Sequence, residues 1–439
     1  MLVDGEHYPP VVRAAVERLP ALVPGAEVVG AVLLGGGEKL AGQLEIGLPV
    51  VERANPHDAL AAGLARFEPE LVFDLSDEPV IDARVRLRLA TQALLAAVPY
   101  QGADFRLDPP PRPPVATKPT VAVIGTGKRT GKTAASAQMA RALAAAGRPP
   151  VVVAMGRGGP AEPELIDPHR FDLSAAGLVA LAASGRHAAS DHLEGALMAG
   201  VVTIGTRRCG GGLAGAPVDS TFAAGVELAN GRPESLLVLE GSGAAVPPVH
   251  ADATLCVVPA SADPELVTGY LGAYKLLLAD LVVVTMAEAG TAAGGVGPAI
   301  RRVAPGVDLV ETVLRPFPLE PVAGRSVFYV TTAPPAAGEH LVGHLEGRHG
   351  AKVIGTSHNL ARRSQLADDL GRMEGADILL VELKAAGVDM AARAALERDM
   401  DVVFCDNRVV GAAGADPSFD ERALALAELA VARFDAGRP

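Results

Sequence analysis

Tryptophan is absent from this 439-residue sequence, and aromatic residues make up only 3% of it. Cysteine occurs three times, at distant positions and without a CxxC pair, so neither a disulfide framework nor a thiolate zinc site is indicated. The apolar run at 281–286 has the length of one strand, far below the roughly 20 residues that a membrane-spanning helix requires. The first residues, MLVDGEHYPP, contain no apolar signal-peptide stretch. We therefore expect a soluble, cytoplasmic protein that does not bind membranes.

Positive charge is also scarce: 39 Lys and Arg face 51 Asp and Glu, for a formal net charge of −12 at pH 7. Basic and aromatic residues are not interleaved, so we expect no nucleic-acid partner. Hydrophobic residues make up 49% of the chain, and Val, Leu, Ile and Ala must build the core. Because these residues are typical of strands buried on both faces of a parallel sheet, the composition predicts an α/β protein.

A Pro-rich segment divides the chain. Residues 106–119 hold six prolines in fourteen positions, which excludes a helix or a central strand there. We expect a smaller N-terminal α/β domain over 1–107 and a stiff linker over 108–119. Residues 120–439 are expected to form a larger domain with a mostly parallel, doubly wound sheet and a C-terminal α/β extension. The linker suggests that the N-terminal domain closes over a substrate as a lid.

A glycine-rich loop follows the apolar strand TVAVIGTG at 120–127 and precedes a helix predicted from Lys132 to Ala146. The loop sequence GTGKRTGKT approximates the P-loop pattern GxxxxGK[ST], with Thr126 at the position of the first glycine. Backbone N–H groups in such a loop bind phosphates, Lys132 reaches the β and γ phosphates, and Thr133 offers its hydroxyl to Mg²⁺. An ordinary Gly-rich turn is the alternative. The nucleotide-binding residues predicted here are Gly127, Thr130, Gly131, Lys132 and Thr133.

Charged residues follow several of the predicted strands. The strand LLVLEGSG ends in Glu240, where a carboxylate can hold Mg²⁺ directly or through water, although a solvated glutamate is the alternative. Arginines after two other strands are expected to face the nucleotide or a second anion, unless they form ordinary surface salt bridges. The predicted catalytic residues are Lys128, Arg129, Lys132 and Glu240. The predicted substrate-binding residues are Arg157, Arg207, Arg208 and His192.

Three further segments leave alternatives open. His192 can orient a substrate phosphate, but helix capping by Ser190 or Asp191 explains the same segment equally well. Strands that end near 288 and 321 lie where P-loop enzymes of this class recognise the base, and Met286 is the predicted contact. Neither strand carries an Asn-Lys-x-Asp guanine motif, which favours ATP. Acidic clusters at 4–7 and 74–78 follow N-terminal strands and indicate either a site or solvated loops.

The segments MLVDGEHYPPVV, GTGKRTGKT, MGRGGP, TRRCGGGLAG and LEGSG, in this order, resemble the cyclic 2,3-diphosphoglycerate synthetase family. The resemblance covers the chain to about residue 290, and the P-loop core is similar to dethiobiotin-synthetase-like enzymes. It implies a cyclising ligase that uses ATP and Mg²⁺ to close a phosphoanhydride within 2,3-diphosphoglycerate. It also implies a cytoplasmic homodimer.

Two alternative functions are compatible with the same loop. One is a partition- or maturation-type ATPase whose hydrolysis switches a protein partner. The other is a P-loop kinase of 2-phosphoglycerate, which makes an acyclic product. Cations are needed for the cyclising reaction because one anion must attack another. No general base is needed, since the attacking phosphate oxygen is already ionised.

Overall fold

A computed structural model gives the structure of the chain, and it describes residues 1–40, 42, 44–184, 191–288, 295–383, 387–412 and 418–437. The polypeptide forms two units, of which the first comprises residues 1–111, 263–278 and 302–305. The second comprises residues 112–262, 279–301 and 306–439. Among the described residues, no helix is long and apolar enough to cross a membrane.

The first unit combines short strands with helices. Its strands are β1 (Leu2–Val3), β2 (Ala31–Leu33), β3 (Val50–Glu52), β4 (Val72–Phe73), β5 (Tyr100–Gln101) and β6 (Arg106–Leu107). Its helices are α1 (Pro9–Leu22), α2 (Pro56–Phe67), α3 (Ala83–Leu95), α8 (Pro264–Thr268) and α9 (Ala273–Leu278). Strands β1, β2 and β3 are parallel, as are β4 and β5, and β6 is antiparallel to β5. Side-chain caps begin α2 and α3, where Asn55 and Asp82 accept N–H bonds from the first turn.

The second unit begins with the strand, loop and helix that contain the glycine-rich motif. Its first strands are β7 (Thr120–Gly125), β8 (Val151–Gly156), β9 (Glu164–Ile166), β10 (Thr203–Cys209), β11 (Asp219–Ser220), β12 (Leu237–Glu240), β13 (Ala253–Pro259), β14 (Leu281–Thr285) and β15 (Asp308–Pro318). The helices between them are α4 (Lys132–Ala145), α5 (Ala175–Ala183), α6 (Asp191–Ala199) and α7 (Phe222–Asn230). A further helix, α10 (Val296–Val303), precedes β15.

The C-terminal part of the second unit continues the same sheet. Its strands are β16 (Ser326–Val330), β17 (Lys352–Ser357), β18 (Ile378–Glu382) and β19 (Asp401–Gly411). Its helices are α11 (Gly338–His349), α12 (Arg363–Leu370), α13 (Val388–Leu396) and α14 (Phe419–Asp435).

The central part of this sheet is parallel and reverses its winding at β7. The strand order is β10-β8-β12-β7-β13-β14-β15, so the chain first adds strands on one side of β7 and then on the other. Ligands of open α/β sheets bind beyond the carboxyl ends of the strands at such a reversal. Every residue of β7 and β8 is buried, as expected for strands covered on both faces. The predicted α/β fold with a large, mostly parallel sheet is confirmed.

Strand β15 joins the central strands to the C-terminal strands. Its first residues pair in parallel with β14, whereas residues 312–318 pair antiparallel with β19. Strands β16, β17 and β18 run parallel to β19 and therefore opposite to β7. The carboxyl ends of β16 and β18 consequently point back toward the carboxyl ends of the central strands. We call these two sets of strand ends the opposed edge (β16 and β18) and the phosphate edge (β7, β8, β10 and β12).

Candidate phosphate and substrate site

The glycine-rich loop lies at the carboxyl end of β7, where the sequence predicts it. Lys132 begins α4, and its Nζ donates a hydrogen bond to the Gly127 carbonyl at 3.0 Å. Its aliphatic stem crosses Gly125, where an added Cβ would lie 2.9 Å from Lys132 Cγ and Cδ. A side chain at 125 would displace the Lys132 stem, so this close approach favours glycine there, one residue before Thr126, which stands where the consensus pattern has glycine.

The loop backbone contains two left-handed residues. Arg129 has a φ of 60° and Gly131 a φ of 91°, and residues of this kind occur in the N–H nests that bind anions. Thr285, at the end of β14, donates its hydroxyl to the Thr130 carbonyl at 2.7 Å. The buried Thr130 hydroxyl has no hydrogen-bond partner among the described residues. A buried polar atom of this kind fits a loop that receives a polar ligand.

Glu240 ends β12, the immediate neighbour of β7. It is 3% exposed, and its register partner on β7 is Val123, two residues before the loop begins. The Gly241 N–H also donates to the Val123 carbonyl at 2.9 Å. The carboxylate and the loop are thus on adjacent strand ends, as predicted, and the Mg²⁺ role of Glu240 stays a prediction.

The predicted arginines follow the next two strands of the phosphate edge. Arg157 comes directly after β8, and Arg207 pairs in register with Gly156 at the end of that strand. The side chains of Arg157 and Arg207 are exposed, as are those of Lys128 and Arg129 in the loop. The phosphate edge therefore presents several cations that can bind anionic groups.

Arg208 differs from these cations because it is only 9% exposed. Its guanidinium donates to the carbonyls of Gly210 and Ser242, the latter at 2.8 Å, and so connects the end of β10 to the loop after β12. A buried guanidinium with fixed hydrogen bonds is already oriented before an anion arrives.

The side chain of His192 is not exposed at the phosphate edge. Its side chain is 4% exposed, its Nε2 lies 3.3 Å from Glu164 Oε2, and its ring packs on Gly205, where an added Cβ would lie 2.4 Å from it. These contacts give His192 a packing role between α6 and β10, and its substrate-binding role stays a prediction. Ser190 and the side chain of Asp191, the alternative caps, lie outside the described residues.

Met286 follows β14 with a φ of 56°, a left-handed conformation that is uncommon for methionine. Two residues later, Glu288 forms a two-bond ion pair with Arg315, at 2.6 and 2.9 Å. The hydrogen bond from Arg315 lowers the pKa of Glu288. The pair connects the segment after β14 to the middle of β15, while base recognition by Met286 stays a prediction.

A carboxylate that the sequence reasoning missed lies at the opposed edge. Glu382 ends β18 and is 2% exposed. Its oxygens accept hydrogen bonds from the hydroxyls of Thr331 and Thr332, the Thr332 N–H and the Asn407 amide, at 2.6 to 3.0 Å. The sequence signal was available, because ILLVE at 378–382 repeats the pattern of LLVLE at 236–240.

The opposed edge approaches the helix that follows the glycine-rich loop. Thr133 and Glu382 line the same small cavity, together with Asp406. Arg141 of α4 lies 2.8 Å from Asp406 and also donates to the Met198 carbonyl at 2.6 Å. The C-terminal strands thus fix the position of α4.

The acidic segments of the first unit form a separate hydrogen-bonded cluster. Asp4, fully buried, accepts the N–H groups of Glu6, His7 and Asp77 at 2.6 to 3.2 Å. An isolated parallel bridge between Leu2 and Asp74 places the two segments side by side. These contacts show that Asp4 holds the loops after β1 and β4 together.

The donor set at the phosphate edge fits a magnesium ion that arrives with a nucleotide. Among the described residues, no group of three or more His, Cys, Asp or Glu side chains could hold a metal ion. Mg²⁺ commonly uses one or two protein oxygens together with water and phosphate oxygens. The Thr133 hydroxyl and the Glu240 carboxylate are oxygen donors of the appropriate kind.

Three family models match the chain. They are described as the N-terminal domain of cyclic 2,3-diphosphoglycerate synthetase, at residues 1–108, its P-loop domain, at 120–313, and its C-terminal domain, at 318–408.

Relatives named cyclic 2,3-diphosphoglycerate synthetase align over nearly the whole chain. The relative from Rubrobacter xylanophilus is 47% identical over 92% of both chains. That from Methanothermus fervidus is 39% identical over 100% of this chain and 98% of its own, and that from Thermococcus kodakarensis is 42% identical over 95% of both. A solved structure of LpxK from Aquifex aeolicus in complex with ATP covers 72% of this chain and 89% of its own, with a TM-score of 0.39 and 13% identity. The chain therefore belongs to the cyclic 2,3-diphosphoglycerate synthetase family and is a P-loop enzyme that uses a nucleotide.

Proposed function

We propose that this enzyme uses ATP to close an intramolecular phosphoanhydride in 2,3-diphosphoglycerate, giving cyclic 2,3-diphosphoglycerate, ADP and phosphate. A phosphate oxygen of the acid attacks the γ phosphorus of ATP, and ADP leaves. The neighbouring phosphate of the acid then attacks the substrate phosphorus that carries the transferred group, and inorganic phosphate leaves. Both steps bring one anion to another.

The observation that carries the proposal is the set of cations on adjacent strand ends of the phosphate edge. Lys132 begins the helix after the loop and would bind the triphosphate together with the loop N–H groups, and Lys128 and Arg129 are exposed beside them. Arg157 and Arg208 belong to strand ends two and three places away from β7 and would bind the second substrate. Cations fixed before the reaction stabilise charge that accumulates in the transition state.

Orientation supplies the other main contribution. Two phosphate groups on adjacent carbon atoms react rapidly only if both are held in the geometry of ring closure. A side chain acting as general base is not required, because a phosphate oxygen is ionised at neutral pH. His192 is buried and its ring packs on Gly205, which agrees with a mechanism in which this histidine does not transfer protons.

Magnesium, a homodimer and the cytoplasm belong to the same proposal. Thr133 and Glu240 would hold Mg²⁺, which supplies further positive charge to the phosphates when bound. Metal titration of the ADP complex tests this assignment, and we expect Glu240→Gln to weaken the metal dependence. Sedimentation of the purified enzyme tests the dimer.

The N-terminal domain as a substrate lid is also part of the proposal, supported by the Pro-rich segment before β7. Small-angle scattering with and without ATP and the acid measures closure as a decrease in radius of gyration. An unchanged radius would contradict the lid.

Phosphorus NMR of the products tests the proposed reaction. With ATP and 2,3-diphosphoglycerate we expect both phosphorus resonances of the acid to shift and free phosphate to appear in equal amount. Phosphorylation of 2-phosphoglycerate without phosphate release would identify the kinase instead. ATP hydrolysis stimulated only by a protein partner would identify the switching ATPase.

A further inference from the structure

A tight turn follows Glu240 and lies between two arginines. Residues 242–245 form a β-turn in which the Ala245 N–H donates to the Ser242 carbonyl at 2.9 Å. Gly243 is the second residue of this turn and has a φ of 60°, which favours glycine.

Gly243 is also the point where the two guanidinium groups come together. A Cβ added to this residue would lie 2.6 Å from Arg157 Nη2 and 3.1 Å from Arg208 Nη2. Arg208 is fixed there because it donates to the Ser242 carbonyl of the same turn at 2.8 Å. Arg157 has an exposed side chain and follows β8, the strand next to β12. The missing side chain therefore gives Arg157 room to lie beside Arg208.

We propose that Gly243 is a positioning residue that lets Arg157 and Arg208 form one paired-guanidinium site for a phosphate group of the acid substrate. The inference rests on the proposed function for the identity of that acid. Two positive charges at one turn repel each other, so both guanidinium groups attract an anion that binds between them. The exposed Arg157 guanidinium offers two parallel N–H groups that match the oxygens of a phosphate, and Arg208 adds a fixed positive charge beside it. The site lies apart from Lys132, which the triphosphate occupies.

The substitution Gly243→Ala tests the proposal. The new methyl group displaces the end of Arg157, a movement that costs the fold little because that side chain is exposed. We expect the affinity for 2,3-diphosphoglycerate, measured by calorimetry, to fall about tenfold or more, as for the loss of one charge-assisted contact. The affinity for ADP should stay within about twofold, and KM for the acid should rise more than kcat falls.

Gly200→Ala is the matched control. Gly200 has a φ of 67°, close to that of Gly243, but an added Cβ there would meet no atom within 4 Å. The two variants therefore carry similar backbone strain, and only one disturbs the arginines. Acid binding lost equally in both, or retained in Gly243→Ala, would overturn the proposal.

A double-mutant cycle shows whether Gly243 acts through Arg157. In an Arg157→Ala background, we expect Gly243→Ala to weaken acid binding by less than about twofold further. Additive losses would overturn the positioning role.

Inorganic phosphate separates this inference from the proposed function. If the wild-type enzyme binds phosphate in a Gly243-dependent manner but makes no cyclic product from the acid, the site stands and the proposed function fails. If the cyclic product forms and Gly243→Ala binds acid and phosphate normally, the proposed function stands and the inference fails.

Discussion

Glu240 and Glu382 occupy equivalent places in two oppositely directed sets of strands. Each ends an apolar strand, and each is nearly inaccessible, at 3% and 2% exposed. The turn after Glu240 lies beside Arg157 and Arg208, and the adjacent strand β7 leads into the glycine-rich loop. The groups around Glu382 are instead the threonine hydroxyls and the N–H that follow β16 and an amide on β19. The same strand pattern therefore ends near exposed cations in one case and among uncharged hydrogen-bond donors in the other.

The difference shows that the chemistry of a strand-end carboxylate depends on the neighbouring loops. A carboxylate on a strand next to cations can hold a metal ion that arrives with a polyanion bound by those cations. A carboxylate whose oxygens are filled by hydroxyl and amide donors has a positioning role, because its acceptor capacity is used within the protein. Four predictions test the comparison, beginning with the largest effect.

Lys132→Ala should abolish turnover, with a loss of about 10³-fold or more, because the triphosphate loses its principal ammonium group. Phosphate release measures the activity, and thermal unfolding should show an intact fold. Lys352→Ala is the control, since Lys352 is an exposed lysine of β17. Comparable losses in both variants would show that the phosphate edge has no special role.

Glu382→Gln should lower the free energy of unfolding by about 1–3 kcal/mol, because the new NH₂ group faces a donor that previously had an acceptor. Urea unfolding measures this change in the free energy of unfolding. KM for ATP should change little. Glu339→Gln, at an exposed carboxylate of α11, should leave the unfolding curve unchanged. An unaltered unfolding curve for Glu382→Gln would refute the positioning role.

Arg207→Ala should weaken acid binding about tenfold and leave ADP binding nearly unchanged, because we propose that this arginine binds a phosphate of the acid. Calorimetry with each ligand separates the two effects. Unaltered affinity for the acid would remove Arg207 from the site.

The smallest expected effect is a loss of stability in weak acid. Burial lowers the pKa values of His344 and His349, and nearby cations, including Arg348, lower them further. A histidine with a lowered pKa in the folded protein binds protons more tightly in the unfolded chain. The free energy of unfolding therefore falls as the pH drops below about 6.5, and it levels off below the folded-state pKa.

Urea unfolding at about pH 7.5 and 5.5 measures this slope. Replacing both histidines by Gln should make it shallower, whereas His169→Gln, at an exposed residue, should not. An identical slope in the double variant would contradict the assignment.

Local patterns sufficed to predict the sheet and much of the phosphate edge. The glycine-rich loop, Glu240 and the arginines follow strands that are apolar throughout, and parallel strands bring their carboxyl ends to one edge without further information. The direction of the C-terminal strands could not be predicted, because it depends on the pairing of β15 with β19, about 90 residues later. The burial of His192 could not be predicted either, because it depends on contacts with Gly205 and Glu164, which lie on other strands.

Strand β15 fixes the spacing between the two edges. Through β13 and β14, the end of β7 is level with Val310, and Glu382 is level with Pro318, so β15 rises about 26 Å between the two edges at the usual length per residue. Hydrogen-bonded backbone of β15 spans this gap, so the number of residues in that strand sets the width of the gap. Inserting a single residue there would both widen the gap and reverse the faces of every side chain beyond it.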